Sequence, residues 1–254
     1  MTDQADGLAV TVERIEAAGR FVLVCEHASN FFPPRWGDLG LDAEARAAHI
    51  AWDPGALGLA RGLARRLDAP LVRAGVTRLV YDLNRPPNAP AAMPARSEIY
   101  DIPGNRGLTP AQRYERTEAL YLPFHARTCA EISRRLALGL VPVLVTVHSF
   151  TPVFNGTPRA VELGLIHDAD PRFAESLLAE ARARTGLDCR LNEPYSGADG
   201  VAHTLARHAT PMGLPHVMIE LRNDLIATEA AQEAMAETLA PALTAALTRF
   251  EGGA

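Results

Sequence analysis

Histidine and acidic side chains stand at the ends of short apolar runs in this sequence. His27 and His148 each follow a valine-rich run, and Glu220 directly follows Val-Met-Ile. Neutral imidazoles and a carboxylate are the donors that a hydrolytic zinc ion prefers, with one position left open for water. A separate carboxylate must then take the proton from that water. The sequence therefore predicts a site for one divalent metal ion per chain, of the zinc type.

These side chains meet only if the strands that carry them are parallel neighbours. Apolar, β-branched runs predict strands at residues 21–25, 71–76, 79–83, 141–147, 160–166 and 217–219. Helical periodicity and helix-end signals predict helices at about residues 55–67, 109–138, 170–186 and 228–250. This alternation predicts an α/β sandwich with a mostly parallel central sheet that is covered on both faces. Polar residues at the carboxyl ends of such strands gather at one edge.

Composition and charge limit the location and the partners. The 254 residues are 48% hydrophobic, which predicts a folded chain, taken as a single domain over residues 1–254. The net charge of −5 leaves no broad basic surface for nucleic acid, and no apolar run reaches the ~20 residues of a membrane span. All 25 basic residues are arginine, so lysine chemistry such as a Schiff base is excluded. The N-terminal segment lacks a signal-peptide pattern, so we expect a cytoplasmic protein.

The order of the motifs resembles the metal and substrate motifs of zinc metallocarboxypeptidases, and the local sequences resemble the N-formylglutamate amidohydrolase family. The likeness covers about residues 21–226 and is carried by Ala-Trp-Asp-Pro-Gly-Ala at 51–56, Asp-Leu-Asn-Arg-Pro at 82–86, His-Ser-Phe at 148–150, Tyr-Ser-Gly at 195–197 and Ile-Glu-Leu-Arg-Asn-Asp-Leu-Ile at 219–226. The resemblance implies a three-layer α/β/α sandwich with a mixed, mostly parallel sheet, of the phosphorylase/hydrolase-like, zinc-exopeptidase type.

The resemblance also implies roles for single residues. His27 and His148 would bind the metal, and Glu220 would be the general base. The pair Asn84-Arg85 would hold the carboxylate of the substrate. A guanidinium group suits this role because it binds a carboxylate through two parallel hydrogen bonds, which an ammonium group cannot reproduce.

The carboxylate ligand of the metal is left open. Carboxypeptidases place it three residues after the first histidine, where this sequence has Asn30, a poor zinc ligand. Asp53 resembles the ligand that zinc-dependent cell-wall amidases supply at the start of a helix, but it is also a candidate for an ordinary helix N-cap. Glu26 is the other candidate, or it orients a histidine from behind.

Four further residues are candidates for substrate binding. Arg78 and Arg222 stand near the predicted strand ends, where they either bind a second carboxylate or form ion pairs with nearby aspartates. Tyr195 and Gly197 lie in an irregular segment that could form a substrate lid, an assignment that follows mostly from the resemblance.

These observations predict a zinc-type amidohydrolase that acts on an N-acylated small molecule bearing a carboxylate. N-formyl-L-glutamate is the first candidate, hydrolysed to formate and L-glutamate in amino-acid degradation. A peptidase or cell-wall-type amidase on the same fold and a metal-free binding domain remain alternatives. A cysteine hydrolase using Cys25 is less favoured, because a cysteine at the end of a buried run is usually an inert packing residue.

Overall fold

Residues 7–252, the part of the chain that this computed structural model describes, fold around a central sheet of seven strands, with two small hairpins outside it. In chain order the strands are β1 Val10–Glu13, β2 Phe21–Cys25, β3 Leu71–Ala74, β4 Arg96–Ser97, β5 Tyr100–Asp101, β6 Val143–Phe150, β7 Val153–Phe154, β8 Thr157–Pro158, β9 Leu163–Ile166, β10 Cys189–Leu191 and β11 His216–Arg222.

The sheet is mixed and mostly parallel, which confirms the predicted fold class. Its strand order is β1-β3-β2-β6-β11-β9-β10. The neighbours β3, β2, β6 and β11 run parallel to one another, whereas β1, β9 and β10 run in the opposite direction. The parallel strands therefore bring their carboxyl ends to one edge of the sheet.

Helices cover both faces of the sheet and complete the three layers. Their bounds are α1 Ala43–Ala47, α2 Ala56–Arg66, α3 Pro110–Arg116, α4 Leu122–Ala137, α5 Arg172–Thr185, α6 His203–His208 and α7 Glu229–Gly252. Leu23 and Cys25 of β2 pack on the face covered by α2, α5 and α7, whereas Val22 and Val24 pack on the face covered by α4 and α6. Successive side chains of a strand point to opposite faces, so one apolar run fills both cores. Within residues 7–252, no helix combines the length and apolar character needed to cross a membrane.

One predicted strand is wrong, because residues 79–83 form turns. Side chains, not a neighbouring strand, bind the carbonyl groups of this run. Leu79 O accepts from Asn105 Nδ2 at 2.8 Å, and Val80 O accepts from Arg116 Nη1 at 3.2 Å. An apolar run predicts burial, but it does not reveal which groups satisfy its backbone.

Other differences concern interruptions and edges. The predicted helix at 109–138 is divided by a π-helical turn, Thr117–Tyr121, shortly before Pro123, which cannot donate a helical backbone hydrogen bond. Strands β1 and β10 were not predicted. Both are short strands at the two edges of the sheet and are only partly buried, so their apolar pattern is weak.

Candidate active site

The carboxyl edge of the parallel strands carries the polar residues that the sequence singles out. His27 follows β2 by two residues, His148 lies near the end of β6, and Glu220 is paired with His148 from the neighbouring strand β11. These three residues line one cavity of about 360 Å³. The same cavity is also lined by Asp53, Arg78, Asp82, Asn84, Arg85 and Tyr195.

His27, Asp53 and His148 form a buried group whose polar atoms face one another. Asp53 Oδ2 lies 3.2 Å from His27 Nδ1 and 2.8 Å from His148 Nδ1, and the two Nδ1 atoms are 3.2 Å apart. One ligand atom from each residue lies within 4.8 Å of the other two, so the group could hold a metal ion. Two imidazole nitrogens and a carboxylate oxygen are a donor set that suits a divalent ion of the zinc type.

Carboxylates contact the second ring nitrogen of each histidine. His27 Nε2 lies 2.8 Å from Asp82 Oδ1, and His148 Nε2 lies 3.1 Å from Glu26 Oε2. The His27–Asp82 contact is a hydrogen bond, which fixes the orientation of a ligating ring and raises its basicity, whereas the His148–Glu26 contact is a close ion pair. Of the two carboxylates that the sequence leaves open, Asp53 therefore faces the Nδ1 atoms, and Glu26 lies behind His148.

In most groups of this cluster, the neighbouring charges shift the pKa in the direction opposite to the shift that burial alone would cause. Burial alone would lower the pKa of His148, but the Glu26 charge and the contact with Asp53 raise it well above its ordinary value. Burial alone would raise the pKa of Asp53 and of Glu26, but the neighbouring histidines hold both pKa values below their ordinary range. The pKa of Asp82 is also lowered, because Arg78 and His27 outweigh burial. These carboxylates stay ionised at neutral pH and balance the charges of protonated His148 and Arg78, so a metal ion that binds here would displace the proton of His148.

Glu220 differs from the other carboxylates of the cavity. Burial raises the pKa of Glu220 to about 7, with a further contribution from the Asp53 charge and opposition from His148. Among the described residues, its Oε2 atom is buried without a hydrogen-bond partner. A carboxyl group in this condition can accept a proton and return it near neutral pH.

The turn that leads into α2 positions Asp53. The Asp53 N–H donates to His27 O at 3.0 Å, and Gly55, with a φ of 82°, occupies the N-cap position of α2. No side chain caps this helix, so the Asp53 carboxylate is not its N-cap. The carboxylate is directed at the two histidines.

Gly55→Ala is expected to lower the free energy of unfolding by roughly 2–4 kcal/mol, because a left-handed φ and a close contact act together. A Cβ at this position would lie 2.4 Å from Ile226 O. Gly139→Ala is the matched control, since Gly139 has a φ of 77° but open space around its Cβ position. Urea denaturation measures both variants, and equal losses would contradict the role of the close contact.

Arg78 lies between two acidic residues of the cluster. Its Nη2 donates to Asp82 Oδ2 at 2.7 Å, and its Nη1 is 3.4 Å from Asp53 Oδ1. Burial alone would lower the pKa of Arg78, but these two carboxylates raise it above its ordinary value. The guanidinium lines the cavity with its charge already balanced by protein carboxylates.

Asn84 and Arg85 contact the backbone of residues 200–204. The Asn84 amide donates to Val201 O and accepts from Thr204 N at 3.0 Å. Arg85 Nη1 donates to Gly200 O at 2.6 Å and to Asn84 O at 3.0 Å. Both polar atoms of the Asn84 amide are thus engaged, whereas Arg85 contacts the described residues through Nη1 alone.

The structure leaves Arg222 and Gly197 outside the cavity lining, although Tyr195 is part of it. Arg222 pairs with Asp224 at 2.8 Å and with Glu162 at 3.2 Å, which is the ion-pair alternative that the sequence leaves open. Gly197 is exposed in a short 3₁₀ turn.

Two contributors were not predicted as site residues. Asp82, which contacts His27, belongs to the Asp-Leu-Asn-Arg-Pro motif at 82–86, but only Asn84 and Arg85 of that motif were given a role. Arg159, which contacts Tyr195, lies in a polar stretch with no comparable signal.

A buried His-Asp-His group and a buried glutamate with a raised pKa meet at the carboxyl edge of the sheet and define a candidate hydrolytic site. A family model described as N-formylglutamate amidohydrolase matches residues 19–227. The chain therefore belongs to the N-formylglutamate amidohydrolase family, and the resemblance seen in the sequence is confirmed.

Two solved structures share the fold of this chain. A gene product from Agrobacterium tumefaciens is 52% identical, with 98% of each chain covered and a TM-score of 0.94. An N-formylglutamate amidohydrolase from Ralstonia eutropha JMP134 is 20% identical, with 95% of this chain and 97% of that chain covered and a TM-score of 0.66. At that identity the second structure shows a shared fold. No curated protein matches the chain.

Proposed function

We propose that the protein hydrolyses the amide bond of N-formyl-L-glutamate, releasing formate and L-glutamate. The observation that carries this proposal is the convergence of His27, Asp53 and His148 beside Glu220, whose Oε2 has no hydrogen-bond partner among the described residues. Family membership supports hydrolysis of an amide as the reaction. The basic groups of the cavity support a substrate that carries carboxylates.

The proposed cofactor is one divalent metal ion per chain, of the zinc type, held by His27, Asp53 and His148. The residues fit such an ion, because three donor atoms face one another and the carboxylates of Asp82 and Glu26 contact the histidines from behind. When bound, the ion would polarise the substrate carbonyl and lower the pKa of a water molecule.

Glu220 is the proposed general base. It takes a proton from the attacking water while the water oxygen forms a bond to the formyl carbon. It then delivers that proton to the amine nitrogen as the C–N bond breaks, so formate and the free amine leave. The pKa of about 7 to which burial raises Glu220 supports both transfers.

Arg85 is the proposed anchor of the substrate's α-carboxylate, since its Nε and Nη2 are not used by the described residues. Arg78 lines the cavity and is the proposed contact for the second carboxylate, which would share a guanidinium group that Asp82 and Asp53 already contact. Arg222 has no such support, because it lies outside the cavity lining in two ion pairs. The role of Asn84 as a further donor to this carboxylate stays a prediction, and its amide contacts Val201 O and Thr204 N beside Arg85.

We further propose that the enzyme acts in the cytoplasm on a free small molecule, with residues 1–254 working as one domain. The net charge of −5 supports a partner other than nucleic acid.

Metal analysis joined to an assay of formate release tests the proposal. Protein purified without chelator is expected to hold about one zinc-type ion per chain and to release formate from N-formylglutamate. His148→Ala should lose the ion and the activity, because only two of the three protein ligands, His27 and Asp53, would remain to bind the metal. His167→Ala should keep both, since His167 lies outside the cavity lining.

Each part of the proposal has its own contrary result. Full metal occupancy in His148→Ala would remove the metal-site assignment. Undiminished activity in metal-free wild type would remove the cofactor. Cleavage of peptides or of other acyl groups in place of N-formylglutamate would replace the substrate.

A further inference from the structure

Three aromatic rings, those of Phe150, Phe154 and Tyr195, form one wall of the cavity, and Arg159 contacts all three from outside the cavity lining. Its Cζ atom is 4.5 Å from the ring centroid of Phe154, 4.9 Å from that of Tyr195 and 5.3 Å from that of Phe150. The three rings line the cavity, whereas Arg159 lies outside that lining. A guanidinium is attracted to ring faces at these distances, so one cation fixes the position of this wall.

The hydroxyl group of Tyr195 has one partner. Arg159 Nη2 donates to the Tyr195 oxygen at 2.8 Å. A phenol hydroxyl also carries a proton of its own to donate. Within residues 7–252, the structure shows no hydrogen bond donated by this hydroxyl group. Tyr195 itself lines the cavity, so the hydroxyl proton is available to a molecule bound there.

The chain that carries Tyr195 passes close to Glu220. Gly164 of β9 is paired with Glu220 of β11. A Cβ at Gly164 would lie 2.0 Å from Glu193 O and 3.3 Å from Glu220 Cβ, so only glycine allows the backbone of Glu193 to lie there. The backbone two residues before Tyr195 therefore lies close to Glu220, the proposed general base.

The phenol of Tyr195 keeps its proton at neutral pH. Burial raises the pKa of Tyr195, and the Glu220 charge adds to that increase. A neutral hydroxyl beside a guanidinium is a good donor, because the cation draws electron density from the oxygen.

We propose that the Tyr195 hydroxyl donates a hydrogen bond to the formyl oxygen as that oxygen gains negative charge, and that Arg159 is the positioning residue that aims it. The inference rests on the proposed function, since it assigns a donor to that reaction. A donor aimed at developing charge stabilises the transition state more than the bound substrate. Its loss is therefore expected in kcat and not in KM.

A double-mutant cycle tests this pair. Tyr195→Phe is expected to lower kcat for N-formylglutamate about 100-fold, the loss typical of one such donor, with KM changed less than about threefold. Arg159→Gln should lower kcat by a smaller factor of at least about tenfold. The double variant should be no slower than Tyr195→Phe, because Arg159 acts through the hydroxyl that is already absent. Metal content and melting temperature should stay near wild type in Tyr195→Phe.

Two matched controls separate the pair from general effects. Tyr114→Phe alters an exposed tyrosine on α3, and Arg190→Gln alters an arginine that pairs with Asp188 and Glu193 in the same region as Tyr195. Both should keep wild-type kcat.

The outcomes distinguish this inference from the function on which it rests. If wild type releases formate but Tyr195→Phe keeps its kcat, or changes KM alone, the donor role is overturned and the function stands. If Arg159→Gln lowers kcat equally in the Tyr195→Phe background, Arg159 supports the wall and not the hydroxyl. If wild type releases no formate, the function and this role are overturned together.

Discussion

Glu220→Gln is expected to lower turnover by about three orders of magnitude while the metal content and the fold stay unchanged. The amide has nearly the shape of the carboxylate, but it can neither accept the proton of the attacking water nor return it to the leaving amine. The side chain is buried and its Oε2 has no hydrogen-bond partner among the described residues, so little structural contact is lost. Steady-state assay of formate release, beside metal analysis and a melting curve, gives the result.

A carboxylate outside the cavity provides the control for Glu220. Glu180→Gln removes a charge on α5 that pairs with Arg184 and Arg249, away from the cavity lining. It should keep wild-type turnover. Near-normal turnover in Glu220→Gln would remove Glu220 from the mechanism, and a lost metal would make it a ligand instead of a base.

Arg85→Ala is expected to weaken transition-state binding of N-formylglutamate by roughly 2–5 kcal/mol, or about 30-fold to several thousand-fold in kcat/KM. The substrate carboxylate would then lie in a desolvated site without its partner. Arg85→Lys should recover little, because an ammonium group cannot match a bidentate guanidinium. An N-formyl amine that lacks the carboxylate should lose little activity with the same variant, and metal content should not change.

The contacts of Arg85 define the competing explanation. Its Nη1 donates to Gly200 O at 2.6 Å, so the residue also supports the segment that leads to α6. If Arg85 only stabilises this segment, Arg85→Ala should lose equal activity on both substrates and have a lower melting temperature. Arg113→Ala is a matched control, since Arg113 Nη2 donates to two loop carbonyls, Pro87 O and Ala89 O. Equal losses on the two substrates would rule out the carboxylate anchor.

The parts of the fold that the sequence predicts well are those with strong local patterns. The apolar runs of β2, β6 and β11 are buried strands, and their direct continuation into polar residues identified His27, His148 and Glu220. Because parallel strands share one carboxyl edge, the fold class alone predicts that these three residues lie near one another.

The remaining features depend on contacts between distant segments. Asp53 and His148 are 95 positions apart, so the choice between Asp53 and Glu26 could not be made from spacing. The Asn84-Arg85 motif is visible in the sequence, but its contacts with Gly200 and Val201 are not. Arg159 has no periodic or flanking signal, because its position is set by the rings around it.

The register between β2 and β6 links the formation of the core to the formation of the site. Val24 pairs with Thr146, and continuing that register brings Glu26 level with His148, while Glu220 is level with His148 from the other side. A slip of one residue in β2 would exchange the faces of Glu26 and His27 and separate both from their partners. Uptake of the proposed metal ion during refolding should therefore report that the central strands have reached native alignment.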